Sequence, residues 1–269
     1  MKLVLFSGSH PRHLFVNREI LKYFQESIIF VMRREELIPQ PPSNISEHDT
    51  YLFDKHFKER AAVENKIFGD LQSDKVFEKN NLINISRKEL NSQKVANIIK
   101  DFEPDFCFIF GVDLILSPTI DVLPKDKVNL HLGLSPWYKG GATLFWPFYH
   151  LAPQFCGSTF HNISKEADAG DIIHQCVPKL EIGDGIHDVG VKCVLKAAED
   201  LPLMFDYWKR KRCFKKKEQK TSGRNWRGAD FHAYQLRVIY DLFDNKIVDK
   251  YLNGELDQRK PDLYSCLVY

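Results

Sequence analysis

Lys127-Val128-Asn129-Leu130-His131-Leu132-Gly133-Leu134-Ser135-Pro136-Trp137-Tyr138-Lys139-Gly140-Gly141 is the stretch on which the reading of this chain turns. Its first half is a short apolar run with the length and composition of a buried strand. Its second half, dense in Gly, Ser and Pro, reads as a loop. Asn129 and His131 are two residues apart, so on a strand they share one face. An amide and an imidazole side by side at a strand end add nothing to packing. A second strand-like run, Ser158-Thr159-Phe160-His161-Asn162-Ile163, leads to the polar cluster Lys165-Glu166-Ala167-Asp168-Ala169-Gly170-Asp171. If the two strands lie close together, Asp168 can face His131.

Working outward, Leu3-Val4-Leu5-Phe6, the turn Ser7-Gly8-Ser9-His10-Pro11, a helical spacing over 12–24 and the run Ile28-Ile29-Phe30-Val31 give strand, turn, helix, strand. That is the opening of an α/β, doubly wound, mostly parallel sheet with a Rossmann-like core. The turn lacks Gly-x-Gly-x-x-Gly, which disfavours a dinucleotide. It reads either as an ordinary βα connection or as an anion site, with helix N-terminal N–H groups and Ser9, His10, Arg12 and His13 beside it. The segment 50–69 reads as a partly exposed helix whose His56 and Glu59 lie on a solvated face, and Leu82–Ile85 as a strand. Ser92–Phe102 has the spacing of an amphipathic helix. The unbroken run Phe106-Cys107-Phe108-Ile109-Phe110 fits a central strand buried on both faces. Ligands collect past the carboxyl ends of such strands, so Phe110, Gly111, Val112, Leu114, Ile115 and Leu116 form a pocket candidate, with a plain strand-to-helix turn as the alternative.

Further on, 142–151 reads as a short helix and 155–163 and 171–180 as strands extending the sheet. The segment 184–208 reads as the longest helix, with Asp184 as N-cap and a kink or break expected at Pro202. The basic run 209–227 reads as a solvated helix end and loop, with a nucleic-acid footprint as the alternative. The segment 229–252 reads as another helix. The organisation expected is a catalytic unit over 1–208 and a basic linker with a small C-terminal helical extension over 209–269. The apolar end Cys266-Leu267-Val268-Tyr269 suits docking, on the chain itself or on a second copy as a homodimer.

The 269 residues are 43% apolar and 28% charged, with a net charge of +2, an ordinary composition for a globular protein. The six cysteines, Cys107, Cys156, Cys176, Cys193, Cys213 and Cys266, form no Cys-x-x-Cys pair and no zinc-site spacing, so no metal is expected. Several sit in apolar runs, as small buried hydrophobes do. No apolar stretch has the length of a signal peptide core or a membrane span, and a cytoplasmic location is the expectation.

Four motifs now stand in order: Asn129-x-His131, Pro136-x-Tyr138-Lys139-Gly140, Gly157-x-Thr159-x-His161 and Asp168-x-Gly170-Asp171. Together they resemble the folate-dependent formyltransferase family, over roughly residues 1–200. Gly133 stands where that family usually has Ser, Ser135 where it has Leu, and Lys139 where Arg is common. The resemblance implies transfer of the formyl group of N10-formyltetrahydrofolate to a primary amine, with Asn129, His131 and Asp168 as the catalytic residues. It further implies that 110–116 and Asp168 contact the folate. The first loop would hold a substrate phosphate, and Tyr138, Lys139, Gly140 and His161 would be further substrate contacts, although a structural role for His161 stays open. The acceptor it suggests is a small phosphorylated or nucleotide-linked amine, in particular an amino sugar. Methionyl-tRNA, met by the basic segment 209–220, is the nucleic-acid alternative, and water, in a formyl-folate hydrolase, is another. A folate-binding module without turnover would be expected to lack one of the three residues.

The chemistry fits those side chains. Formyl transfer needs donors for a developing oxyanion and a group that takes the amine proton. Asn129 offers an amide NH₂, His131 titrates near neutrality, and a carboxylate at Asp168 would orient the ring and raise its pKa.

Overall fold

The computed structural model describes residues 1–33, 36–69, 71–78, 80–164, 166–219 and 223–267. Lys165 of the polar cluster, Lys220 of the basic run and the terminal Val268 and Tyr269 lie outside the described residues. The strands are β1 (Lys2–Gly8), β2 (Glu26–Met32), β3 (Asn81–Ile85), β4 (Phe106–Phe110), β5 (Lys127–His131), β6 (Lys139–Gly140), β7 (Ser158–Asn162), β8 (Ile172–Cys176) and β9 (Asn225–Trp226). The helices are α1 (Pro11–Leu21), α2 (Glu47–Phe68), α3 (Ser73–Val76), α4 (Gln93–Phe102), α5 (Trp146–Tyr149), α6 (Ile186–Lys211) and α7 (Ile247–Leu252).

Seven strands form one sheet in the order β3-β2-β1-β4-β5-β7-β8. The first five run parallel, and β7 and β8 continue antiparallel. The alternation along β1 and β4 explains the layering. Leu3, Leu5, Phe106, Phe108 and Phe110 pack on one face with α1 and α6. Val4, Phe6, Cys107 and Ile109 pack on the other with Val95 and Ile99 of α4. With both faces covered, an unbroken apolar run is what a central parallel strand requires. On β5 the same alternation sends Val128 and Leu130 to the α1–α6 side and Asn129 and His131 to the opposite one. A third core joins α2, α5 and the start of α6 to the residues after 225, through Trp226, Leu236, Ile239 and Ile247. Arg237 ties that region to α2 by donating from Nε and Nη2 to the two carboxylate oxygens of Asp49, at 2.8 and 2.9 Å.

Four local expectations need correction. α6 runs through Pro202 without a break. The proline removes one helical donor, but Leu201, Met204 and Phe205 around it are buried against the sheet, and that packing keeps the helix continuous. The N-cap of α6 is Gly185; Asp184 instead accepts the Glu181 N–H and pairs with Lys192. The helix expected over 142–151 is the single turn α5. The helix expected over 229–252 is a series of short turns ending in α7, interrupted where Asp244 and Asn245 both take positive φ, a conformation that ends a right-handed helix. No described helix is long and apolar enough to cross a membrane.

Phe106 of β4 meets the rings of Phe24, Phe205, Trp208 and Phe214 and is 1% exposed. Phe106→Ala should therefore cost about 3–5 kcal/mol. Urea denaturation would show it as a lower midpoint with an unchanged slope.

Candidate active site

β5 ends beside β7, with Asn129 directly opposite His161 and His131 opposite Thr159. The chain returns after β7 through a turn in which Asp168 has φ 52°. Asp is one of the few side chains at ease in that left-handed region, and the turn carries its carboxylate back over the strand ends. Asp168 Oδ2 lies 3.3 Å from His131 Nδ1 and accepts the Gly140 N–H at 2.9 Å. Asp168 Oδ1 lies 3.3 Å from His161 Nε2 and 3.5 Å from Asn129 Nδ2. The amide, both imidazoles and the carboxylate thus converge from parts of the chain about forty residues apart.

The protons can be placed. His131 Nε2 lies 2.9 Å from the Tyr138 carbonyl, which only accepts, so Nε2 carries a hydrogen. His131 Nδ1 is then the atom that gains or loses a proton, and it faces Asp168. Burial pushes the His131 pKa down; the Asp168 charge and the Tyr138 carbonyl pull it back, and the net shift is downward. Burial also opposes ionisation of Asp168, but His131, His161 and the Gly140 N–H outweigh it and hold the carboxyl well below its ordinary value. His161 Nδ1 lies 2.6 Å from the Asn162 carbonyl and so donates, which leaves Nε2 to accept from Asn129 Nδ2 at 3.0 Å. Gly133, the departure noted above, has a reason here. A Cβ at that position would lie 2.5 Å from His131 Nε2 and 2.7 Å from the Tyr138 carbonyl, so the imidazole fills the space a side chain would need.

Asn129, His131, Gly140 and Asp168 line a cavity of about 430 Å³. Phe110, Gly111, Val112, Arg12 and His13 also line it. The other expected contacts lie elsewhere. Ile115 is buried in the core beside α4, and Leu114 and Leu116 are exposed, their backbone bonded to the Asn91 side chain. These three therefore fall outside the cavity wall. Ser9 and His10 are not in it either, though the His10 ring stacks on that of His13. The Tyr138 hydroxyl turns to His150 at 3.3 Å, and Lys139 is buried beyond the lining, so this loop meets the cavity through Gly140 rather than through either side chain.

His56, read from sequence as solvated, is in the wall, and so is His187. His56 and His187 are buried and both approach the Tyr240 hydroxyl, at 3.0 and 3.3 Å. Burial lowers the pKa of each, that of His56 strongly and that of His187 to about 3, with the Arg60 charge adding to the effect. His56 follows Leu52 and Phe53 at the helical spacing of a buried face, a signal the sequence did carry. On the wall supplied by α1 and α2, Arg12 pairs with Glu64 at 2.5 Å, and Arg60 packs over the Phe57 ring while donating to the Leu37 carbonyl. One trio with metal-ligand chemistry occurs among the described residues: His174, Cys176 and Asp200. None of the three lines the cavity, and His174 and Asp200 are already joined at 2.9 Å, with Lys196 on the second carboxylate oxygen.

The geometry fixes a sign for titration. His131 should titrate below 6.5, and Asp168→Asn, which removes the upward pull, should lower it further. Histidine ring NMR against pH would read both values, and an upward move in the variant would contradict the arrangement.

A family profile described as formyl transferase matches residues 54–201, more than half of the chain. Over 98 residues the sequence is 34% identical to the bifunctional polymyxin resistance protein ArnA of Wigglesworthia glossinidia brevipalpis, a match covering 36% of this chain and 15% of that protein. It is 28% identical over 96 residues to a methionyl-tRNA formyltransferase of Borreliella burgdorferi, covering 35% and 30%. The chain thus spans less than a third of the length of either relative. The fold is shared with an N-formyltransferase of Helicobacter canadensis at TM-score 0.57, with 14% identity over 90% of this chain and 81% of that one. With the matched residues including Asn129, His131 and Asp168, the chain belongs to the formyl transferase family.

Proposed function

We propose that this protein moves the formyl group of N10-formyltetrahydrofolate to a primary amine, with Asn129, His131 and Asp168 as the catalytic residues. The observation that carries the reading is the 3.3 Å approach of Asp168 to His131 Nδ1 at the wall of a cavity that Asn129 also lines. The donor supplies an activated formyl carbon, and the residues of this chain do the rest. His131, uncharged at neutral pH because burial lowers its pKa, takes the amine proton at Nδ1. Asp168 stabilises the imidazolium so formed, and that proton then goes to the folate nitrogen as its bond to the formyl carbon breaks. Asn129 Nδ2 has two hydrogens; one serves His161, and the other, which faces Asp168 Oδ1 only at 3.5 Å, turns to the formyl oxygen as it gains charge. The lining suits the donor, since Phe110, Gly111 and Val112 at the end of β4 adjoin the aromatic walls of Phe57, Phe145 and Phe231, a largely apolar cleft with a few polar groups.

For the acceptor we propose a nucleotide-linked amino sugar. Arg12 and Arg60 in the wall suit a diphosphate, and the structurally similar Helicobacter canadensis protein was solved with folinic acid and dTDP-3-aminofucose. Methionyl-tRNA is the second reading, favoured by the Borreliella relative and by the basic residues 209–219.

Incubation with N10-formyltetrahydrofolate and a panel of dTDP- and UDP-linked 3- and 4-amino sugars should add one formyl unit to at least one of them, read by mass spectrometry. Asn129→Ala should slow this about 100-fold or more, and His131→Ala more than that. Near-normal turnover in either variant would refute the roles assigned. Formate released without an amine would identify a hydrolase, and transfer to methionyl-tRNA that weakens steeply with salt would identify the second acceptor.

A further inference from the structure

The turn at Asp168 is held by a residue from the far end of the chain. Gln219 Nε2 donates to the Asp168 carbonyl at 2.9 Å and to the Gly170 carbonyl at 2.6 Å. Ser135 Oγ reaches the same Asp168 carbonyl at 3.3 Å. Gln219 itself is fixed from both sides. Lys217 exchanges two backbone hydrogen bonds with Ile172, each 2.8 Å. Further on, β9 pairs with β6, Asn225 against Lys139 and Trp226 against Gly140, and the Trp226 carbonyl accepts the Gly141 N–H at 2.7 Å. Gly140, at φ 89° and closed in by the Trp226 carbonyl, is the residue whose N–H meets Asp168. Lys217, Gln219, Asn225 and Trp226 therefore touch both loops that hold the carboxylate.

We propose that Gln219 is a positioning residue: its two N–H groups set the left-handed turn that aims the Asp168 carboxylate at His131 Nδ1. The inference rests on the formyl-transfer reading for its consequence, though not for its geometry. Gln219 Oε1 is buried without a partner among the described residues, which is costly for an acceptor. An apolar side chain of similar length would avoid that cost and fill the space, but could not donate. What distinguishes glutamine here is its paired donors, both committed to the turn.

The test compares Gln219→Ala with Gln219→Glu, which keeps the shape but replaces both N–H groups with acceptors facing carbonyls. Ring NMR of His131 should show its titration moved down by about half a unit or more in Gln219→Ala, the direction expected when the carboxylate retreats; in Gln219→Glu the added negative charge pulls the other way, so that variant is read by kcat. With the best acceptor found, kcat should fall about 10- to 100-fold with little change in KM. A urea midpoint near that of the unmodified chain would separate loss of aim from loss of fold. An unshifted His131 titration in Gln219→Ala, or a Gln219→Glu variant with the kcat of the parent, would overturn the proposal. If the unmodified chain transfers no formyl group, the formyl-transfer reading fails by itself, and the NMR arm still decides whether Gln219 places Asp168.

Discussion

A carboxylate taken out of water must be met by donors or positive charge, because its desolvation otherwise outweighs whatever it contributes. Asp168 is in that position, and the surrounding structure follows from it. The turn adopts a left-handed φ at Asp168, a conformation costing roughly 1–2 kcal/mol for an L-residue, to bring the carboxylate over the ends of β5 and β7. Gly140 takes a positive φ to present its N–H. Gly133 lacks a side chain so that His131 can lie with Nε2 on the Tyr138 carbonyl and Nδ1 toward the acid. Each of these backbone features would be a defect elsewhere. Around one buried charge they become mutually consistent.

That consistency explains which parts of the molecule sequence could reveal. The strand runs of β1, β4 and β5 follow from alternation and burial, which are local, so the parallel core was readable. So was the shared face of Asn129 and His131. The partnership with Asp168 required two strands to lie side by side, and only the order of four motifs suggested that. What stayed hidden depends on distant packing. Pro202 predicts a kinked or broken helix, yet the buried residues flanking it keep α6 continuous. His56 looks like part of a charged face until Tyr240, 184 residues away, supplies its partner. Gln219 sits in a run dominated by lysines, and no periodicity marks a side chain whose partners are two carbonyls in a turn some fifty residues earlier. Leu114, Ile115 and Leu116 err in the opposite direction. β4 leads into the cavity wall as far as Val112, but the chain then folds back onto Asn91 and leaves it.

The part of the chain after 211 belongs to this account more than a linker would. Tyr240 orients His56 and His187 in the cavity wall, Phe231 adds an aromatic ring to it, and β9 braces β6. Trp226 stacks on Trp146 with 4.0 Å between ring centroids and carries the Arg224 guanidinium on its ring. These contacts couple the late segment to the two loops around Asp168, so a change there reaches the carboxylate without touching any residue of the four motifs.

The cavity's electrostatics bear on the form in which an amine enters it. An amine attacks only when uncharged, yet a primary amine in water is mostly an ammonium. A lone carboxylate at the wall would attract that ammonium and hold it in the unreactive state. Here the Asp168 charge is already offset in part by the Gly140 N–H and the Asn129 amide. Arg12 and Arg60, set against Glu64 in the wall from α1 and α2, add positive potential that disfavours a second cation. Burial keeps His56 and His187 uncharged, so they neither bind nor repel it strongly. In the proposed reaction the same guanidinium groups would attract a phosphate-bearing acceptor. Such an acceptor would bring its amine in as the free base, and His131 Nδ1 would be where the amine proton goes once the new bond begins to form.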